Sequence, residues 1–204
     1  MQPVLSPQHC SELYESLIDD ALEFTQELGV RRIVGCHPNS NNPYFQAFSK
    51  KVYIDMGDTP GTKMGTRIQQ AFDIAFQKGA TKVVLWDGLA PQISERAFKE
   101  VYSRLDKASV VMGPAMDFST YILGAKKGAP KIFEKVEWDT PKEFSSLVYA
   151  AQDANLEYYI LPILQRLRTA NDLPQFIMNL KELVPKNSRV MRNGRKVFEK
   201  LNLL

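Results

Sequence analysis

Four short stretches of this sequence bring glycine, hydroxyl, carboxylate and guanidinium groups together at spacings that could do chemistry. The first, Gly57-Asp58-Thr59-Pro60-Gly61-Thr62-Lys63-Met64-Gly65-Thr66-Arg67, is glycine-rich and basic and opens a helical pattern. The first N–H groups of a helix have no partner inside it, so this is the composition of an anion site. Its spacing is not that of a P-loop, because Lys63 lies between Gly61 and Gly65, and an ordinary turn with a helix cap has the same composition. The second, Trp86-Asp87-Gly88-Leu89-Ala90-Pro91, brings out a carboxylate that suits a metal ion or a ribose hydroxyl and equally an Asx turn with Gly88. The third, from Gly113 to Tyr121, sets Asp117 beside Ser119 and Thr120, either as a general base or acceptor-sugar ligand or as a turn residue. The fourth, Gln165-Arg166-Leu167-Arg168-Thr169, carries two guanidinium groups, which suit phosphates and are also common on a solvated face.

These stretches need a scaffold, and the hydrophobic pattern supplies one. Leu13, Leu17, Ala21, Phe24 and Leu28 recur at helical steps from Pro7, and Gly29 stops that helix. Strands are expected over 31–37, 51–56, 82–86, 109–114, 121–124 and 156–161. Between them helices are expected over 64–78, from the cap Ser94 to Leu105, over 141–154 with Pro141 in the first turn, and over 170–183 behind the cap Thr169. The continuous apolar run Lys82-Val83-Val84-Leu85-Trp86 predicts a strand covered on both faces. This alternation specifies an α/β three-layer sandwich with a mostly parallel sheet over residues 1–184. In such sheets ligands bind beyond the carboxyl ends of the strands, where the four stretches fall. Residues 185–204 form a basic tail; Asn193-Gly194 suggests a hairpin and a basic amphipathic helix is the other option.

Composition excludes several classes. With 204 residues, 44% hydrophobic and 24% charged, the chain suits a folded domain and not a disordered, collagen-like or disulfide-built one. A net charge of +3 is too small to imply nucleic acid. No apolar run approaches a membrane span and the first 28 residues have no signal-peptide core, so a cytoplasmic protein is expected. Cys10, Cys36, His9 and His37 lack the spacing of a zinc site.

Taken in order, these motifs resemble the bacterial nucleotide-diphospho-sugar transferase-like proteins of GT-A type often labelled radical-SAM/selenodomain-associated glycosyltransferases. The matching stretches are Leu5-Ser6-Pro7 through Leu13-Tyr14, Gly61-Thr62-Lys63-Met64-Gly65-Thr66-Arg67-Ile68 with Ala71-Phe72, and Pro91. They continue through Gly113-Pro114-Ala115-Met116-Asp117, Tyr121-Ile122-Leu123-Gly124, Trp138-Asp139-Thr140, and Thr169 with Asp172-Leu173. The resemblance implies a Rossmann-like GT-A fold and a nucleotide-sugar or other phosphate-bearing ligand.

The departures fall on acidic positions: Lys63, Leu89, Arg166 and Arg168 stand where the family pattern has carboxylates. Phe118 and Ser119 stand where it has two glycines. A hard divalent cation needs oxygen ligands, so no metal or other cofactor is expected. The resemblance also begins after the family's P-G-x-V-K-T-R-L loop, which implies that the first βα unit is missing. A start further upstream, a C-terminal hairpin or neighbouring chain in its place, or a rearranged sheet would each account for that. The expected protein is glycosyltransferase-like and degenerate in metal-dependent catalysis, with an active metal-independent glycosyl or nucleotidyl transferase or a non-catalytic interaction protein as alternatives and a homo-oligomer as an option. Asp117 and Asp87 are the candidate catalytic carboxylates. Gly61, Lys63, Gly65, Arg67, Tyr121, Arg166 and Arg168 are the candidate phosphate ligands.

Overall fold

The computed structural model describes residues 5–37, 39–41, 43–46, 55–59, 63–90, 92–129, 132–185 and 191–204. Its first helix, α1 (Pro7–Glu27), starts where Ser6 Oγ accepts the His9 amide at 3.1 Å and ends before Gly29 at φ 66°. The elements then run β1 (Ile33–Cys36), β2 (Asp55–Asp58), α2 (Met64–Gln77), β3 (Lys82–Trp86), α3 (Glu95–Arg104), β4 (Val110–Pro114) and β5 (Thr120–Lys126). A 3-10 turn at Ile132–Lys135 leads to α4 (Glu143–Asp153) and β6 (Tyr158–Ile160), and another at Ala170–Asp172 leads to α5 (Leu173–Glu182) and α6 (Arg192–Lys200). Ser94 caps α3 as expected, its hydroxyl accepting the Ala97 amide at 3.1 Å. Pro141 falls in the turn before α4 and not in its first turn.

Four strands lie in the order β3-β5-β4-β6. β4 pairs parallel with β6, and β5 pairs antiparallel with both β3 and β4, so β3, β4 and β6 run one way and β5 alone runs against them. The carboxyl ends of β3, β4 and β6 therefore share one edge of the sheet. β4 is buried throughout, because strands flank it on both sides and helices cover both faces. Phe72 of α2 and Leu147 of α4 pack on one face with Met112 and Leu123, while Phe24 of α1 and Phe98 of α3 pack on the other with Val111 and Ile122. β3 is only half-buried, unlike the expectation from its apolar run, because β5 is its one strand neighbour among the described residues.

β1 and β2 form a separate parallel pair, with Ile33 opposite Asp55 and Cys36 opposite Asp58. A cavity of about 340 Å³ is lined from both sheets, by Ile33 and Gly35 of β1 and Val83 and Leu85 of β3, and by Phe72 of α2. None of the tail's described residues lines it. Asn193 and Gly194 make no hairpin turn; they lie in the first turn of α6, where their amides donate to the buried Asp20 carboxylate of α1 at 2.8 Å each. The carboxylate satisfies amides that a helix start leaves unpaired, and this favours helix over hairpin. Phe198 of α6 and Phe176 of α5 join Leu13 and Leu17 of α1 in one apolar cluster. Among the described residues, no helix is long and apolar enough to cross a membrane.

Candidate functional site

The common carboxyl edge of β3, β4 and β6 gathers three of the four stretches. After β3, Gly88 turns at φ 74° and the Leu89 amide donates to Asp87 Oδ1 at 2.9 Å. An Asx turn thus holds one oxygen of Asp87 and leaves the other for a second partner. Between β4 and β5 the tight loop Ala115–Ser119 closes with Ala115 N donating to Ser119 O at 2.8 Å and Phe118 N donating to Ala115 O at 3.0 Å. Inside it Asp117 Oδ1 accepts the Ser119 amide at 3.2 Å and also the Ser119 hydroxyl. After β6 the chain stays extended: Ala115 bridges Leu164, and the Leu167 amide donates to Leu89 O at 3.0 Å. Side chains alternate along such a segment, so Leu167 enters the core while Arg166 and Arg168 lie on the other side.

The two arginines are held by this chain's own carboxylates. Arg166 donates through Nη2 to Asp87 Oδ2 and through Nη1 to Ser119 Oγ at 2.5 Å. Arg168 Nη1 lies 3.6 Å from Asp117 Oδ2, and its Nη2 donates to Asp139 Oδ1 at 2.9 Å. Asp139 is itself fixed at φ 58°, with its amide donating to Glu143 Oε2 at 3.1 Å, while Glu143 Oε1 takes the Thr120 amide at 2.7 Å. The result is a continuous chain of alternating charge, Asp87–Arg166–Ser119–Asp117–Arg168–Asp139. Partial burial alone would raise the Asp117 carboxyl, but hydrogen bonds from Ser119 and the charges of Arg166 and Arg168 outweigh it and hold the pKa below the ordinary value. At Asp87 the protein packed around the carboxyl raises its pKa, opposed by the Arg166 guanidinium.

Beside Asp139 lies an open cleft of about 580 Å³. The start of α2 contributes Lys63, Gly65 and Thr66 to its lining, and no side-chain hydrogen bond from the N-cap residue Lys63 caps this helix. Glu134, Glu137 and Asp139 also line the cleft. Gly65 is required by close packing, since a Cβ there would stand 2.8 Å from both Phe133 O and Trp138 Nε1. The lining thus brings the Lys63 ammonium and the start of a helix together with the carboxylates of Glu134, Glu137 and Asp139.

Asp87, Asp117, Arg166 and Arg168 thus come together, and Lys63 and Gly65 stand in the adjoining cleft. Arg67 does not join them: it points Nη2 toward Met64 Sδ at 3.6 Å within α2. Tyr121 is also apart, buried in the core with its hydroxyl donating to Pro162 O at 3.1 Å. Gly61 lies outside the described residues. Leu89, where the family pattern has an acid, packs its side chain against the cluster of α1, α5 and α6. Sequence reasoning missed Asp139, Glu143 and Tyr14 as parts of the site and had Ser119 only as a hydroxyl beside Asp117. Asp139 was visible only as part of the Trp-Asp-Thr motif. The Tyr14 phenol, whose pKa is raised first by desolvation and next by the charge of Asp87, comes from a helix whose period marked only its buried face. Among the described residues, no three His, Cys, Asp or Glu side chains converge as a metal site would require.

The fold is that of the nucleotide-diphospho-sugar transferase architecture. The crystal structure of a "putative nucleotide-diphospho-sugar transferase" from Desulfovibrio desulfuricans G20 superposes with a TM-score of 0.80 over 95% of this chain and 86% of that one, at 20% identity. Molybdopterin-guanine dinucleotide biosynthesis protein A from Archaeoglobus fulgidus gives a TM-score of 0.49 at 10% identity, over 92% of this chain and 86% of that one. Residues 21–140 match the family described as "Uncharacterized protein conserved in bacteria (DUF2064)", and the chain belongs to it. No curated protein matches the chain.

Proposed function

We propose that this protein is a glycosyltransferase-like member of the radical-SAM/selenodomain-associated group that binds a nucleotide sugar or a related phosphate-bearing sugar without a divalent metal. The observation that carries this reading is the chain from Asp87 to Asp139, in which guanidinium groups already neutralise the carboxylates at the strand ends. A divalent ion there would have to displace Arg166 and Arg168 from Asp87 and Asp117, so the donor set does not fit one. In this reading the amino end of α2 and Lys63 take the phosphates, Arg168 borders the same cleft through Asp139, and Glu134 and Glu137 accept sugar hydroxyls. Asp117 is a weak base, because its ionised form is the one its neighbours favour. That supports binding over transfer that relies on Asp117 as general base.

Thermal-shift measurements with UDP-, GDP- and CMP-sugars test the proposal. Ligand at about 100 times its Kd adds about 2.7 kcal/mol, which for a domain of this size raises Tm on the order of 5–10 °C. The rise is expected with and without manganese and is expected to shrink in Lys63→Ala. A rise that requires manganese, or no rise with any of the three, sinks it.

A further inference from the structure

The loop that carries Asp117 presents a feature that neither the fold nor the charge network requires. Ala115–Ser119 is the five-residue connection between β4 and β5, and within it Phe118 adopts the left-handed conformation. Glycine is favoured in that conformation. Here the loop holds Phe118 at φ 63°, a genuine outlier for a bulky side chain. Both backbone groups of Phe118 are fixed: its amide donates to Ala115 O at 3.0 Å, and its carbonyl accepts the Phe144 amide at 3.1 Å. The ring earns nothing in the core, being 66% exposed, and the flanking Met116 is 58% exposed. Between them in sequence is Asp117, whose carboxylate pairs with Arg168, which in turn pairs with Asp139.

We infer that Phe118 is a stacking platform for the C–H face of a carbohydrate ring, whose hydroxyls bond to Asp117 and to the Arg168–Asp139 pair. An aromatic face is electronegative and attracts polarised C–H groups. Carboxylates and guanidinium groups in fixed positions accept from and donate to vicinal hydroxyls. A wholly apolar partner would cover Phe118 and Met116 but would also desolvate the part-exposed Asp117–Arg168 pair while offering its remaining donors and acceptors no partner, which costs binding energy. The ring therefore belongs to a molecule that is apolar on one face and hydroxylated at its edge. This rests on the reading of the site as sugar-binding and adds to it the residue that selects and orients the sugar. Because it acts by contact with the bound ring and not on the reacting bond, Phe118 is a positioning residue.

The test uses the full chain with methyl α- and β-glucosides, galactosides and mannosides and with N-acetylglucosamine, read by saturation-transfer NMR and titration calorimetry for wild type, Phe118→Gly and Phe118→Trp. At least one saccharide is expected to bind wild type with its ring C–H protons in the saturated contact. Phe118→Gly is expected to weaken it about tenfold, the scale of one lost aromatic face, while Tm rises by about 2–5 °C as the backbone strain is relieved. Phe118→Trp is expected to bind within about threefold of wild type, because it keeps an aromatic face. Absence of binding by every saccharide, unchanged binding in Phe118→Gly, or a fall in its Tm overturns the inference. So does a concentration-dependent dimer that Phe118→Gly abolishes, which would make the ring an interface between copies. The UDP-, GDP- and CMP-sugar shifts, measured on the same variants, separate the two proposals: shifts that persist without saccharide stacking leave the nucleotide-sugar reading intact, and stacking without shifts does the reverse.

Discussion

Asp20 and Asp117 both accept backbone amides, yet their surroundings push them in opposite directions. Asp20, buried between α1 and α6, takes the Asn193 and Gly194 amides at 2.8 Å each. Desolvation dominates there, the two amide bonds oppose it, and the like charges of Glu23 and Asp19 add to it, so its pKa is raised from 3.8 to about 6. Asp117 has its Ser119 bonds and in addition two guanidinium groups, and its pKa is lowered. What separates a carboxylate that clamps the fold from one available to a site is therefore the partner. Amides of a helix start fix an acid in place, whereas arginines beside a cleft leave a polarised group that a ligand can compete for.

The largest effect expected from that difference is on the clamp. Asp20→Ala leaves one buried and one part-buried amide at the start of α6 without an acceptor, at a cost of about 2 kcal/mol, or a fall in Tm of about 4–8 °C. Asp20→Asn keeps an acceptor oxygen and is expected to lose less. Thermal melts decide it: if Asp20→Ala melts with wild type, Asp20 is no clamp and the contrast with Asp117 collapses. At the site end, Arg166→Ala deprives Asp87 of its cation. The pair is neither fully exposed nor fully buried, so a loss of about 1–2 kcal/mol is expected, between the surface and buried limits. In urea melts, Asp87→Asn should make the arginine substitution less costly. Additive losses would mean that the two residues do not act as a pair.

The pH dependence follows with opposite signs. The folded state keeps a proton on Asp20 up to about pH 6, whereas the unfolded chain loses it near 3.8. Between those values the folded state binds more protons, so the contribution of Asp20 falls as pH rises through that window. Asp117 has a lowered pKa, so its contribution is present above the ordinary carboxyl value and is lost as pH falls through its folded value. Tm profiles of wild type, Asp20→Asn and Asp117→Asn are expected to differ on opposite limbs. Asp20→Asn should remove the decline between about pH 4 and 6, and Asp117→Asn should soften the acid limb below about pH 4. Two variants with the same profile would contradict the assignment of these shifts.

Much of this architecture was legible in the sequence. The helical steps from Leu13 to Leu28 and the Ser94 cap led directly to α1 and α3, because local pattern and packing agreed there. The strand-end loops placed Asp87, Asp117, Arg166 and Arg168, since the carboxyl edge of an α/β sheet is set by topology. What sequence could not show was long-range pairing. Asn193-Gly194 reads locally as a turn, and only Asp20, some 170 positions earlier, makes it a helix start. Arg166 and Arg168 read as free cations until Asp87 and Asp139 are placed beside them. Tyr121 sits in a matching motif, but its buried hydroxyl is engaged by Pro162.

The smallest stability effect is the most informative about function. Arg168 is one-third exposed, and its partners Asp117 and Asp139 are similarly exposed or more so. Exposed ion pairs contribute little, so Arg168→Ala is expected to change stability by less than about 1 kcal/mol. In the absence of ligand the variant should melt within a few degrees of wild type. If Arg168 borders the cleft as a phosphate or hydroxyl partner, the same variant should lose most of the thermal shift produced by nucleotide sugars, because a charge-assisted hydrogen bond to an anion is stronger than a neutral one. Lys at this position keeps the charge but not the planar fork that spans Asp117 and Asp139, so Arg168→Lys should recover only part of the shift. A variant that loses stability without losing the shift would place Arg168 with Asp20, as a group that holds the fold together and leaves ligand binding to others.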